Sequence, residues 1–61
     1  MNYNVKVTAS LLNVRSGPGT SYSILKTISK NTVKSIVEER GDWGKLASNE
    51  GWINLNYTSK V

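Results

Sequence analysis

Trp43, Trp52, Tyr57 and Tyr22 are the side chains of this sequence best equipped for surface chemistry. Each offers a flat apolar ring with a polar handle, a combination that binds other groups with few torsions to freeze. Trp43 and Trp52 lie in the last third, Tyr57 follows closely and Tyr22 sits in a Gly-rich stretch, so four rings on strand ends and loops can line a groove. Trp52 reads as core or core edge, because a chain without Phe fills its interior with the aromatics it has. Trp43 reads as a half-exposed platform for a ligand: it opens a strand after Arg40-Gly41-Asp42, with Lys45 and Ala47 on its face and Gly44 and Leu46 on the other. Asn13 and Arg15 add polar recognition. Arg presents a planar donor fork and Asn both a donor and an acceptor, which suits a peptide backbone or a carboxylate. The same two residues can instead tie down the Gly-Pro-Gly loop that follows, and both readings stay open.

Catalytic chemistry has little to work with. The chain has eight Ser and four acidic residues but no His and no Cys, so no Ser or Thr has an imidazole base and no thiolate exists. Glu38 and Glu39 are adjacent, and neighbours on a strand point to opposite faces, so they do not converge on one atom. Asp42 and Glu50 fall in polar turns. Gly17-Pro18-Gly19 lacks the Lys-Ser or Lys-Thr continuation of a phosphate loop and no helix start follows it. The expectation is a chain with no catalytic residues, no metal site and no cofactor.

The elements that must hold these residues read as strands. Val5, Val7 and Ala9 alternate with Lys6 and Thr8 over about 3–9, and Leu12 and Val14 alternate with Asn13 and Arg15 over 12–15, which sets the two polar side chains on one face. Ser16 to Ser23 is a run of turn formers, in which Gly17 and Gly19 permit positive φ around Pro18. Ile24 to Ile28 and Val33 to Glu39 read as strands joined by a turn at which Asn31 can be left-handed. Trp43 to Ala47 and Trp52 to Asn54 follow, separated by Ser48-Asn49-Glu50-Gly51. Only the termini look loose. Five to six short strands with turns every eight to ten residues predict an all-β fold, a small barrel.

With 61 residues there is room for one domain, core about 3–58, and with no apolar run beyond two residues no membrane insertion is expected. A net charge of +4 attracts polyanions without choosing among them, and the lysines are scattered rather than gathered into a stripe, so nucleic acid is not the expected partner. A monomer is the default.

Leu12-Asn13-Val14-Arg15-Ser16-Gly17-Pro18-Gly19-Thr20-Ser21-Tyr22-Ser23-Ile24, with Thr32-Val33, Gly41-Asp42-Trp43 and Gly51-Trp52-Ile53 beyond, resembles the bacterial SH3 (SH3b) domain family over nearly the whole chain. Two positions depart from the family pattern: Asn31 stands where Gly is usual, and Gly44 where a bulky residue often follows Trp43. The ending Gly51-Trp52-Ile53-Asn54-Leu55-Asn56-Tyr57 also looks like that of eukaryotic SH3 domains. Asn54, however, replaces their groove Pro and the Gly-Pro loop replaces their acidic loop, so PxxP binding is not expected. The resemblance implies an SH3-like β-barrel acting as a non-catalytic targeting module of a larger protein, such as a peptidoglycan hydrolase, an autolysin, a phage endolysin or a surface protein. It implies an extracellular, wall- or surface-associated location and a peptidoglycan stem or cross-bridge peptide as partner. Tyr22, Trp43 and Tyr57 would supply ring contacts, and Asn13, Arg15 and Asn56 hydrogen bonds. The alternatives are a protein-interaction domain, a nucleic-acid-binding barrel and a spacer.

Overall fold

The computed structural model describes residues 2–61, and its first strand follows the alternation of the sequence. In β1 (Tyr3–Val7), Val5 and Val7 are buried while Asn4 and Lys6 face solvent. β2 (Leu11–Arg15) repeats the pattern with Leu12 and Val14 inside. Then come β3 (Ile24–Ser29), β4 (Val33–Arg40), β5 (Trp43–Leu46), β6 (Trp52–Asn54) and β7 (Thr58–Lys60). Two single 3₁₀ turns, Ala47–Asn49 and Leu55–Tyr57, sit in the connections flanking β6. All ladders are antiparallel, and the strands form one sheet in the order β3-β2-β6-β5-β4-β1-β7.

The sheet wraps around seven aliphatic side chains: Val5, Val7, Leu12, Val14, Ile36, Leu46 and Ile53, none more than 5% exposed. Burying each contributes roughly 1.5–3 kcal/mol of transfer free energy, the main term a chain this short can set against its conformational entropy. Tyr3, Ile28 and Leu55 pack around this set. The fold is all-β, a small SH3-like barrel.

The strand count is seven, not five to six. β7 adds the extra strand, and the C-terminus is therefore not loose: Val5, Lys6 and Val7 pair with Lys60, Ser59 and Thr58, and the Val61 N–H donates to the Asn4 carbonyl at 3.1 Å. Backbone hydrogen bonds hold β7, and Thr-Ser-Lys carries no apolar alternation that would announce it. At the N-terminus, Met1 lies outside the described residues. Asn31 takes the left-handed conformation the turn asks of it, at φ 72°. The positive-φ glycines are Gly41 and Gly51, however, not Gly17 and Gly19.

Candidate functional site

β2 presents Asn13 and Arg15 on the outer face because Leu12 and Val14 occupy the core. β6 pairs with both β2 and β5, setting Trp52 beside Arg15 and Lys45, and Asn54 beside Trp43. These outer-face side chains, all half-buried, form a continuous row across three strands. Trp43 and Trp52 both lie on this face, so Trp52 is not core or core edge: β6 turns Ile53 inward and Trp52 outward, and the residues packed around the core are Tyr3, Ile28 and Leu55.

The 3₁₀ turn after β6 places Tyr57. Asn54 Oδ1 accepts from the Asn56 N–H at 2.9 Å, capping the turn, and the Thr58 hydroxyl donates to the Leu55 carbonyl at 2.8 Å. Two backbone bonds then fix the turn to its surroundings. The Leu55 N–H donates to the Asp42 carbonyl at 2.7 Å, next to Trp43, and the Thr8 N–H donates to the Tyr57 carbonyl at 2.9 Å. Gly44 completes the arrangement from below. It is buried, and a methyl there would come within 2.7 Å of Leu55 Cδ2, so the missing side chain is the space into which Leu55 packs.

Between these elements runs a groove of about 300 Å³. Asn13, Arg15 and Asn54 lie along its floor, Trp43 and Tyr57 contribute rings, and Thr20 reaches it from the Gly-Pro loop. Leu11 and Ala9 extend the lining toward β1. The groove thus brings together four residues singled out from the sequence: Asn13, Arg15, Trp43 and Tyr57. Tyr22 and Asn56 stand outside its lining.

Tyr22 belongs instead to the loop's own packing. Its ring lies over Gly17 so closely that a Cβ there would overlap it, and it passes 3.5 Å from the place a methyl would take at Gly19. Gly17 therefore serves close approach rather than backbone conformation, and a methyl at Gly19 would make only an ordinary contact. Arg15 Nη1 donates to the carbonyls of Thr20 at 3.1 Å and Tyr22 at 2.9 Å, and the Ser16 N–H donates to the Ser23 carbonyl at 2.9 Å. Arg15 lines the groove and also latches the loop that forms its far end.

Sequence reasoning missed Ala9, Leu11, Leu12, Thr20 and Asn54 as lining residues. Leu11 and Asn54 were within reach of the period-two rule, since each lies two positions from an outward residue, Asn13 and Trp52 respectively. Thr20 was not, because its position depends on how the loop folds under Arg15.

Arg15 is the single charged side chain in the groove's lining, which is otherwise uncharged. No carboxylate lines it, and the Arg15 guanidinium already holds two loop carbonyls. Asn13 and Asn54 offer amide groups suited to a polar, uncharged ligand. The ion pairs lie elsewhere: Glu50 accepts from Lys34 Nζ at 2.9 Å with Lys26 Nζ at 3.6 Å, and Glu38 accepts from Arg40 Nε at 2.9 Å. The Lys34 hydrogen bond holds the Glu50 carboxyl below the usual carboxylate range against the opposing effect of burial, with the charges of both lysines adding to it. A smaller hollow of about 230 Å³ is lined by Tyr3, Glu39, Leu55 and Lys60 among others. Its polar groups satisfy one another. The Tyr3 hydroxyl donates to Glu39, Lys60 Nζ lies 4.6 Å from the centre of the Tyr3 ring, and burial followed by the Glu39 bond and charge pushes the Tyr3 phenol up to about 12. No cluster of acidic residues among the described residues is arranged to hold a metal ion.

Comparison with known proteins places this geometry in context. Residues 10–59 match the family described as Bacterial SH3 domain, a span that includes every groove-lining residue except Ala9. The chain is also 40% identical over 45 residues to "Putative N-acetylmuramoyl-L-alanine amidase YrvJ" of Bacillus subtilis (strain 168). That match covers 69% of this chain and 9% of the amidase.

Proposed function

The chain belongs to the bacterial SH3 domain family, and from that premise we propose that it is a non-catalytic module that binds the bacterial cell wall, taking a peptidoglycan stem or cross-bridge peptide into the groove. The observation that carries this reading is the groove itself: a channel lined by the amides of Asn13 and Asn54 and by Trp43 and Tyr57, with Arg15 as its single charge. Such a surface suits an extended peptide with small side chains, whose backbone amides pair with Asn13 and Asn54 while its Cα groups lie against the rings. The relative's name supports a setting at the wall. Because the match spans only 9% of that amidase, the reading for this chain is of one binding unit within a larger, wall-associated and extracellular protein.

The groove's electrostatics weigh against nucleic acid as the ligand. Phosphate recognition needs several cations along the path of the strand, and the lining holds one, Arg15.

Co-sedimentation with purified Gram-positive peptidoglycan sacculi at low and moderate salt tests the proposal, with Trp43→Ala and an unrelated basic protein alongside. The wild type is expected to pellet at both salts and Trp43→Ala to remain in the supernatant while keeping the wild-type circular dichroism. If the wild type pellets no more than the basic control, wall binding is wrong. Pelleting that vanishes at moderate salt would reduce the interaction to the +4 charge.

A further inference from the structure

The Arg15 guanidinium is only partly used by the loop it latches. Nη1 donates to the Thr20 and Tyr22 carbonyls, while Nε and Nη2 bond to no acceptor among the described residues. Those two nitrogens form one edge of the planar group, and its parallel N–H bonds match the two oxygens of a carboxylate. No carboxylate of the chain answers this charge. Among the described residues, Glu50 pairs with Lys26 and Lys34, Glu38 pairs with Arg40, and Glu39 accepts from the Tyr3 hydroxyl. The two bonds at Nη1 also hold the guanidinium in place, so little side-chain freedom is left to lose when an anion meets the free edge.

β2 lays out the rest of the groove from this charge. Leu11, Asn13 and Arg15 alternate with the buried Leu12 and Val14, so they stand on the outer face in steps of about 7 Å and span roughly 13 Å. Their order is apolar, amide, cation. Leu11 is 65% exposed and lines one end of the groove with Ala9, while Arg15 and Thr20 line the other. The Gly-Pro loop stands at the Arg15 end, where the end of a peptide is accommodated more readily than a chain that continues.

We infer that the groove selects a peptide end: the free α-carboxylate of a short extended peptide pairs with the Nε and Nη2 edge of Arg15. The backbone behind the carboxylate meets Asn13, and a small apolar side chain about four residues from the end lies against Leu11 and Ala9. The ligand then runs parallel to β2, its carboxyl end toward the Gly-Pro loop. This rests on the reading of the groove as a peptide site and narrows it, from any stem or cross-bridge segment to one that ends in a free carboxylate.

The test is a titration of the 61-residue chain, followed by proton–nitrogen NMR, with N-acetyl-tetraalanine as the free acid and as the C-terminal amide. Each is made with its last two residues in the L or the D form. For the better-bound stereoisomer, the acid is expected to bind on the order of tenfold more tightly than the amide at low salt, with a smaller gap at moderate salt. The Arg15 Nε–H resonance should shift with the acid and not with the amide. In Arg15→Gln the two peptides should bind within about twofold of each other, whereas a loosened loop alone weakens both and keeps their ratio. Asn13→Ala is expected to weaken both and keep the ratio. Equal binding of acid and amide by the wild type, a preference that survives in Arg15→Gln, or no binding of either peptide at millimolar concentration overturns the inference. Pelleting with sacculi decides the broader reading separately. A chain that pellets yet ignores the terminal carboxylate keeps wall binding and loses this inference, and a carboxylate preference without pelleting keeps this inference and removes the wall as the source of the peptide.

Discussion

Position 51 shows how little freedom a single residue has here. Its φ is +136°, and a methyl group would stand 2.6 Å from the Arg15 carbonyl oxygen and 2.7 Å from Val14 Cγ1. Backbone conformation and space both demand glycine. Gly51→Ala is therefore expected to destabilise the fold by about 2–4 kcal/mol in urea titrations, with strain and overpacking each contributing. A loss below about 0.5 kcal/mol would mean that β2 and β6 move apart at no cost, contrary to the tight packing described. Side chains at this scale were only partly legible in the sequence. That Asn13, Arg15 and Trp43 face outward followed from alternation with Leu12, Val14 and Leu46. Arg15 had two possible employments, and only the distances to Thr20 and Tyr22 show the loop-latching one. Tyr22 was counted among the groove's rings because an exposed aromatic in a loop resembles a ligand contact, and nothing in residue type reveals that it covers Gly17.

The strands were legible where apolar residues gather, even in β3, where all but the half-buried Ile28 are exposed, and illegible in β7, where they do not. β1, β2, β5 and β6 each carry an apolar residue at every second core position, and their bounds fall within two residues of the pattern. β7 has no such signal, and the last turn before it, Leu55–Tyr57, is set by an Asn54 cap that the sequence does not advertise. The Gly-Pro loop is a third case, an element organised by one side chain. Arg15→Gln is expected to leave the core and global stability nearly unchanged while loosening the loop. Amide exchange would report it, as faster exchange at Ser16 and Tyr22, whose N–H groups bond to Ser23 and Gly19, with β1 and β4 unaffected. Wall binding should fall in the same variant, because Thr20 is no longer held at the groove's end. Unchanged exchange with lost binding would instead leave Arg15 its contact with the ligand alone.

For the molecule as a whole, Glu50 joins β4 and β3 to the turn before β6 through Lys34 and Lys26. Its carboxyl is lowered in the folded chain, so it contributes stability above the unfolded carboxylate value, and that contribution fades as pH falls through the lower folded value. Thermal melts of Glu50→Gln and wild type should differ at neutral pH by up to about 1 kcal/mol, a partly solvated pair being screened, and should converge near pH 2. A difference that persists in acid would have another origin. The bond from the Val61 N–H to the Asn4 carbonyl bears on something else, how the unit is carried. β1 and β7 run side by side from Ala9 and Tyr57, at the groove, to a far corner where both ends emerge together, roughly 15 Å along the strands at about 3.3 Å per residue. Like a plug on a two-core cable, the unit has its leads on one side and its groove on the other. Neighbouring sequence can be joined at either lead, or at both, without passing across the groove.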